Sequence, residues 1–171
     1  MEETALAYVA RFGTSAGKLS AYLARKLRER GWEGDTSPDI AAIVARFVAL
    51  GYVDDAAYAR IKAQGLLRRG YGARRVDQAL VAAGIEEDLR TQARGNERDA
   101  RAAALAFARR RKFGPFGPGS ADDGQRLADP RLREKQVAAF LRAGHPLANA
   151  RVLVNADTIT QAEEWGDEEL D

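Results

Sequence analysis

Arginine side chains are concentrated around one tight turn of this chain, where they could bind anions. The cluster consists of Arg68, Arg69, Arg74 and Arg75, with Tyr71 between them. Each guanidinium group is a planar set of hydrogen-bond donors that fits a carboxylate or a phosphate group. Gly70 and Gly72 allow the tight backbone path that brings these side chains close together. Because four arginines beside an aromatic ring exceed what helix capping requires, we interpret this turn as a partner-binding surface.

A second arginine cluster ends a long stretch of helical composition, residues 86–112. Its members are Arg109, Arg110 and Arg111, followed by Lys112. The same stretch starts with acidic residues, and this order of charges complements the dipole of a helix. We retain this cluster as a candidate partner-binding site, with a solvated helix end as the equally supported alternative. The same two interpretations stay open for a third group, Arg25, Lys26, Arg28 and Arg30.

Charge is distributed unevenly along the 171 residues, although the net charge is only +2. Residues 51–115 carry 14 basic and 8 acidic side chains, whereas residues 116–171 carry 6 and 11. Of the 27 basic residues, 22 are arginine. A basic central region of this kind indicates nucleic acid or an acidic protein surface as the partner.

The chain lacks the residue sets that most enzymes and metalloproteins need. It has no cysteine and a single histidine, His145, which excludes thiolate and polyhistidine metal sites. The segment from Gly13 to Lys18 resembles a phosphate-binding loop only superficially, since the glycine spacing is one residue short and Leu19 replaces the magnesium-binding hydroxyl. We interpret it as a turn between helices, and His145 as a structural turn residue before Pro146. We therefore expect no enzyme activity, no metal and no cofactor.

Helical patterns dominate the sequence, and five of the expected helices end in a glycine followed by a large side chain. The pairs are Gly31-Trp32, Gly51-Tyr52, Gly70-Tyr71, Gly84-Ile85 and Gly144-His145. In each case the residue five positions before the large side chain is apolar, as in a Schellman helix end. Three of these apolar residues, Leu27, Leu80 and Phe140, are spaced 53 and 60 residues apart, which suits three short helices per repeat. The predicted fold is all-α, with three tandem three-helix repeats.

The repeats are expected at residues 4–53, 54–95 and 96–156. The third contains a loop rich in glycine and proline at 114–130, and an acidic tail that we expect to be frayed follows at 157–171. Gly95 interrupts the stretch 86–112, so one kinked helix and two separate helices both remain possible.

The apolar runs are too short to span a membrane. The chain opens with Glu2 and Glu3 instead of a basic segment followed by an apolar one. We therefore expect a soluble, cytoplasmic protein without an export signal, and we expect it to be a monomer.

The segment from Gly51 to Ile85 resembles the signature block of the RecX family, bacterial regulators of the RecA recombinase. It contains GYVDD at its start, the basic turn RRGYGARR in its middle and a helix that ends in GI. The flanks resemble the family more weakly, over most of the chain. The chain departs from the family pattern at Lys18, where the family usually has a glutamate, and in the 114–130 loop and the acidic tail.

The resemblance implies an elongated, curved array of three tandem three-helix repeats. It also implies a non-enzymatic modulator that binds the RecA filament on single-stranded DNA. Such a protein mainly inhibits strand exchange, ATP hydrolysis and coprotease activity, and thereby regulates DNA repair, recombination and the SOS response. The basic turn carries over as the candidate contact: Arg68, Arg69, Tyr71, Arg74 and Arg75. A repeat array suits this role because it can touch successive subunits of a helical polymer.

Two other functions remain open on sequence grounds. Three-helix units with basic turns also resemble helix-turn-helix proteins, so a direct DNA-binding module, or weak direct DNA binding beside the regulatory role, is the principal alternative. Against it, no expected helix carries the clustered Asn, Gln and Arg side chains that read base edges. The other alternative is a helical scaffold that binds an unrelated acidic protein.

Overall fold

The computed structural model describes residues 1–117 and 129–168, and throughout these residues the regular structure is helical. The α-helices are α1 (Glu2–Val9), α2 (Ala16–Arg30), α3 (Ile40–Ala49), α4 (Asp55–Arg68), α5 (Ala73–Val81), α6 (Glu87–Ala93), α7 (Glu97–Arg111), α8 (Pro130–Arg142), α9 (Leu147–Asn155) and α10 (Ile159–Asp167). A short 3-10 helix, Gly114–Phe116, follows α7. The predicted all-α fold is confirmed.

Polar side chains fix where several helices begin. The Ser15 hydroxyl accepts a hydrogen bond from the Lys18 amide at 3.2 Å, and this cap starts α2. The Asp54 carboxylate caps α4 in the same way. Asn96 and Asp99 form a capping box, each side chain accepting from the other residue's backbone amide. The stretch 86–112 is therefore two helices, α6 and α7, and not one kinked helix.

Four of the five predicted Schellman ends are present. The amide that follows the glycine donates to the carbonyl five residues earlier, in the pairs Tyr52–Phe47, Tyr71–Leu66, Ile85–Leu80 and His145–Phe140, at 3.0–3.1 Å. The fifth prediction is wrong. Gly31 has an extended ψ of −175°, which turns the next amide away from the helix, and the Leu27 carbonyl accepts from the Gly31 amide instead.

The chain divides into two compact units, and the division falls within α4 and within α5. The first unit contains residues 1–61 and 79–93. Its core consists of Ala5, Leu19, Leu23, Val44, Phe47 and Val53. Leu19 and Leu23 are four residues apart, so they share the face of α2 that is buried. The Ser15 hydroxyl also donates to the Ala83 carbonyl at 2.5 Å, which ties the end of α5 to the start of α2.

The second unit contains residues 62–78 and the described part of the chain from residue 94 onward. Its buried aromatic centre is Phe107 on α7 and Phe140 on α8, with ring centroids 4.9 Å apart. Leu153 and Val154 of α9 complete this core, together with small alanines that let the helices approach closely.

The expectation that the acidic tail is frayed is wrong for residues 159–167, because these residues form α10. Thr158 caps this helix by accepting from the Gln161 amide at 3.1 Å. Ala162 and Gly166 are buried, and Trp165 packs on the core. These three residues lie three and four apart on one helical face, so the apolar pattern outweighs the acidic composition. Residues 169–171 lie outside the described residues.

The predicted 114–130 loop is only partly described. Gly114 and Pro115 are buried in the 3-10 helix, so the start of this segment belongs to the packed structure. Residues 118–128 lie outside the described residues, and Asp129 caps α8. Within the described residues, no helix is both long and apolar enough to cross a membrane. The repeat boundaries at 53 and 95 stay predictions.

Candidate partner-binding site

The basic turn joins α4 to α5 and belongs to the second unit. Arg68 and Arg69 lie at the end of α4, and Arg74 and Arg75 lie in the first turn of α5. All four side chains are exposed, as the sequence predicted for Arg74 and Arg75. Gly70 ends α4 with a φ of +76°, a backbone conformation that glycine adopts without strain.

Packing brings one residue of the second arginine cluster to this turn. Arg110 donates a hydrogen bond to the Arg69 carbonyl. Its guanidinium carbon lies 5.7 Å from the centre of the Tyr71 ring and 5.8 Å from that of Phe107. We call the resulting set the basic surface: Arg68, Arg69, Arg74, Arg75 and Arg110, arranged around the half-buried Tyr71. The sequence selected both clusters but gave no reason to join them.

The other two arginines of the second cluster have different neighbours. Arg109 forms an ion pair with Glu163 of α10 at 2.5 Å and lies over the Phe116 ring. Arg111 lies over the Phe113 ring. Arg109 therefore holds α10 against α7, and its charge is already compensated.

The turn rests on a second helix end, Gly144-His145. The Gly72 amide donates to the Ala143 carbonyl at 2.9 Å, and the Arg74 amide donates to the Gly144 carbonyl at 3.2 Å. A Cβ atom on Gly72 would overlap the Gly144 carbonyl group, so the two backbones approach as closely as glycine allows. Four exposed arginines are thus carried on a rigid support.

His145 is the buried centre of that support. It is 4% exposed and lies between the rings of Phe107 and Phe140, each 5.4 Å away. Its Nε2 is 3.0 Å from the Gly70 carbonyl. Because a carbonyl only accepts, Nε2 carries the proton and donates it. Burial lowers the pKa of His145, so the imidazole is neutral near pH 7. This placement agrees with the structural role that we expected for His145. The sequence did not indicate its hydrogen bond to Gly70, because the two residues are 75 positions apart.

Positive charge on the basic surface is uncompensated within the described residues. No ion pair to a carboxylate is formed there by any of its five arginines. By contrast, Arg101 and Arg109 of α7 pair with Glu168, just after α10, and with Glu163 of α10. Arg142, which the sequence analysis did not select, is also exposed and directly precedes Ala143. Such a group of free guanidiniums around an aromatic ring suits a ligand that presents several phosphate or carboxylate groups.

In the described parts of the chain, His, Cys, Asp and Glu side chains form no group of three or more that could hold an ion. Pairing of Asp77 with Arg94, 3.6 Å apart, places the acid of α5 away from such a role.

Comparison with known proteins gives one consistent result. Residues 54–93 match the family described as "RecX, second three-helix domain", a range that covers α4 to α6 and contains the basic turn. The chain is 26% identical to the regulatory protein RecX of Myxococcus xanthus over 92% of this chain and 85% of that protein. It is 37% identical to the regulatory protein RecX of Thermus thermophilus, over 52% of this chain and 59% of that protein.

A solved structure extends the likeness to the whole fold. The crystal structure of RecX from Lactobacillus salivarius superposes with a TM-score of 0.64, over 90% of this chain and 91% of that one. At 15% identity this likeness shows the fold alone. Sequence pattern, curated relatives and fold agree: over most of its length the chain is similar to RecX regulatory proteins.

Proposed function

We propose that this protein regulates the RecA recombinase by binding the RecA filament on single-stranded DNA and inhibiting it. The observation that carries the proposal is the position of the basic surface. Its turn lies inside the 54–93 segment that matches the family, and its arginines have no acidic partner within the described residues. The protein acts as a cytoplasmic monomer and catalyses no reaction of its own.

Binding energy is expected from charge-assisted hydrogen bonds. Each desolvated contact between a guanidinium group and a carboxylate or phosphate contributes roughly 1–3 kcal/mol. The turn is held by Gly72 and by the buried His145, so little backbone freedom is lost when a partner binds. Arg110 is oriented by the Arg69 carbonyl and by the Tyr71 ring, and it presents its remaining donors to the same partner.

Direct DNA binding is the second candidate, because the same arginines suit phosphates. Arg74 and Arg75 lie at the start of α5, where a helix also favours anions. In that case the protein would bind duplex DNA without RecA, and its affinity would fall steeply with salt.

The experiment that tests the proposal follows ATP hydrolysis by RecA on single-stranded DNA while the purified protein is added. We expect the rate to fall at amounts of protein below those of RecA, because one inhibitor affects several filament subunits. An unchanged rate at excess protein, together with tight binding to duplex DNA, would instead support the DNA-binding module.

A further inference from the structure

Three aromatic rings form a row in the first unit. Tyr8 of α1 stacks on Tyr22 of α2 with ring centroids 4.0 Å apart and planes 15° apart. Phe12 continues the row, 5.3 Å from Tyr8. Tyr8 and Tyr22 touch the core, but Phe12 is 53% exposed and is no part of it. An exposed aromatic ring at the end of a stacked row is a ready platform for another planar group.

Cationic groups border this aromatic row at both ends. The guanidinium carbon of Arg11 lies 5.9 Å from the Phe12 ring centre, and that of Arg25 lies 5.5 Å from the Tyr22 ring centre. Lys26 also lies over Tyr22, at 6.0 Å. These contacts place positive charge within reach of anything that stacks on the row.

A shallow groove runs beside the row within the same unit. Its volume is about 470 Å³, and Lys18, Tyr22 and Arg25 line it from one face of α2. Gly17 and Ala21, which have small side chains or none, line the same side, and residues 81, 82 and 84 complete the lining. The spacing of 18, 22 and 25 follows the helical repeat, so aromatic and basic side chains alternate along the groove.

Acidic side chains compensate only part of this charge. Glu29 pairs with Lys26 at 2.7 Å and with Arg25 at 3.5 Å, and the hydrogen bond from Lys26 lowers its pKa. These pairs are exposed, so they exchange readily for another anion. Arg11 and Lys18 have no carboxylate partner in the described part of the chain, and Lys18 bonds instead to the Tyr58 hydroxyl at 3.2 Å.

We propose that the aromatic row and its cations form a binding site for single-stranded nucleic acid. A base stacks on the Phe12 ring, and the phosphates meet Arg11, Lys18 and Arg25. Single-stranded nucleic acid offers both a planar base and a phosphate in each unit, which is the combination this surface can bind. An acidic peptide offers the negative charge without the planar group. The site uses only residues of the first unit and does not rest on RecA binding.

The test measures fluorescence anisotropy of a labelled thymidine oligonucleotide and of an abasic oligonucleotide with the same number of phosphates. The full chain is used throughout. We expect tighter binding of the thymidine oligonucleotide, because only it can stack. Phe12→Ala should weaken that binding about fivefold or more, and should leave abasic binding nearly unchanged. Arg25→Ala should weaken the binding of both.

Matched controls separate stacking from general effects. Trp32→Ala removes another exposed aromatic ring, outside the row, and Arg28→Ala removes an arginine of α2 outside the groove lining. Both controls should bind like the wild type. Equal binding of the two oligonucleotides by the wild-type chain would overturn the proposal. So would unchanged binding by Phe12→Ala, or preferential binding of polyglutamate. If Phe12→Ala is poorly folded, Arg11→Ala replaces it and must weaken thymidine binding.

Discussion

Two turns of this protein, Gly51-Tyr52 and Gly70-Tyr71, have the same sequence pattern and the same local geometry. Their glycines have φ values of +74° and +76°. In each, the tyrosine amide donates to the carbonyl five residues earlier. Their surroundings differ completely. A Cβ atom on Gly51 would meet nothing within 4 Å, whereas one on Gly70 would lie 2.8 Å from the Phe107 backbone nitrogen. Tyr52 is 55% exposed, and Tyr71 is half-buried under Arg110.

The local glycine-tyrosine pattern has the same effect in both turns, and the difference between them comes from packing. The glycine-tyrosine pattern ends a helix in both places, because that needs only a left-handed residue and two hydrogen bonds. Only the Gly70 turn becomes a rigid platform, since α7 and the Gly144-His145 turn pack against it. Only this platform carries uncompensated arginines on both sides.

The largest effect that we predict contrasts Gly70→Ala with Gly51→Ala. Both variants force alanine into a left-handed conformation, which costs roughly 1 kcal/mol. Gly70→Ala also pushes a methyl group into the α7 backbone and should cost roughly 1–3 kcal/mol more. Urea denaturation of the two variants measures this difference in the free energy of unfolding. Equal losses would show that the Gly70 turn is no more tightly packed than the Gly51 turn.

The next prediction concerns the pH dependence of stability. Of the two turns, the Gly70 turn is the one that bonds to a histidine, His145. Burial lowers the pKa of His145 below 6.5, so the unfolded chain binds more protons than the folded one as the pH falls. The contribution of neutral His145 to the free energy of unfolding should therefore be complete above pH 6.5 and should be lost progressively below it. Denaturation between about pH 7.5 and about pH 5.5 measures this, because that range brackets the ordinary pKa of histidine and His145 is the only histidine of the chain.

His145→Gln is the control for the pH experiment. Glutamine keeps a hydrogen-bond donor for the Gly70 carbonyl but does not titrate. The variant should be less stable near pH 7 and should lack the decrease in this pH range. A decrease of the same size in His145→Gln would assign the pH dependence to other groups.

The smallest predicted effect is a gain in stability. α7 ends in the same hydrogen-bond pair as the glycine turns, with the Phe113 amide donating to the Ala108 carbonyl at 3.0 Å. Lys112 occupies the left-handed position with a φ of +57°. Lys112→Gly should relieve this strain and raise the free energy of unfolding by about 1 kcal/mol. Thermal denaturation measures the change, and a loss of stability would mean that the lysine side chain makes a contact worth more than the strain.

Sequence predicted the features that depend on near neighbours. The four glycine ends depend only on residues near the helix end, and the Ser15 and Asp54 caps found in the structure are equally local. The helix end at Lys112 was expected, but its Schellman geometry was not, because no glycine marks it. For α10, the acidic composition hid the apolar face formed by Ala162 and Trp165.

Long-range packing could not be read from the sequence. The arginines of the candidate site were selected by their number and spacing, but the contact of Arg110 with the Arg69 carbonyl joins residues 41 positions apart. Pairing of Glu163 with Arg109 likewise depends on where α10 docks. No local sequence pattern indicates such contacts.

The most direct test of the account is inhibition of RecA by the double variant Arg74→Ala, Arg75→Ala. Its matched control is Arg131→Ala, Arg133→Ala, which removes two exposed arginines of α8 in the same unit. ATP hydrolysis by RecA on single-stranded DNA is measured with each protein after circular dichroism has shown that it is folded. Because both side chains of the first pair are exposed, folding should be unchanged while inhibition weakens severalfold or more, and the control should inhibit like the wild type. A folded Arg74→Ala, Arg75→Ala variant that inhibits RecA as well as the wild type does would contradict the assignment of the basic surface.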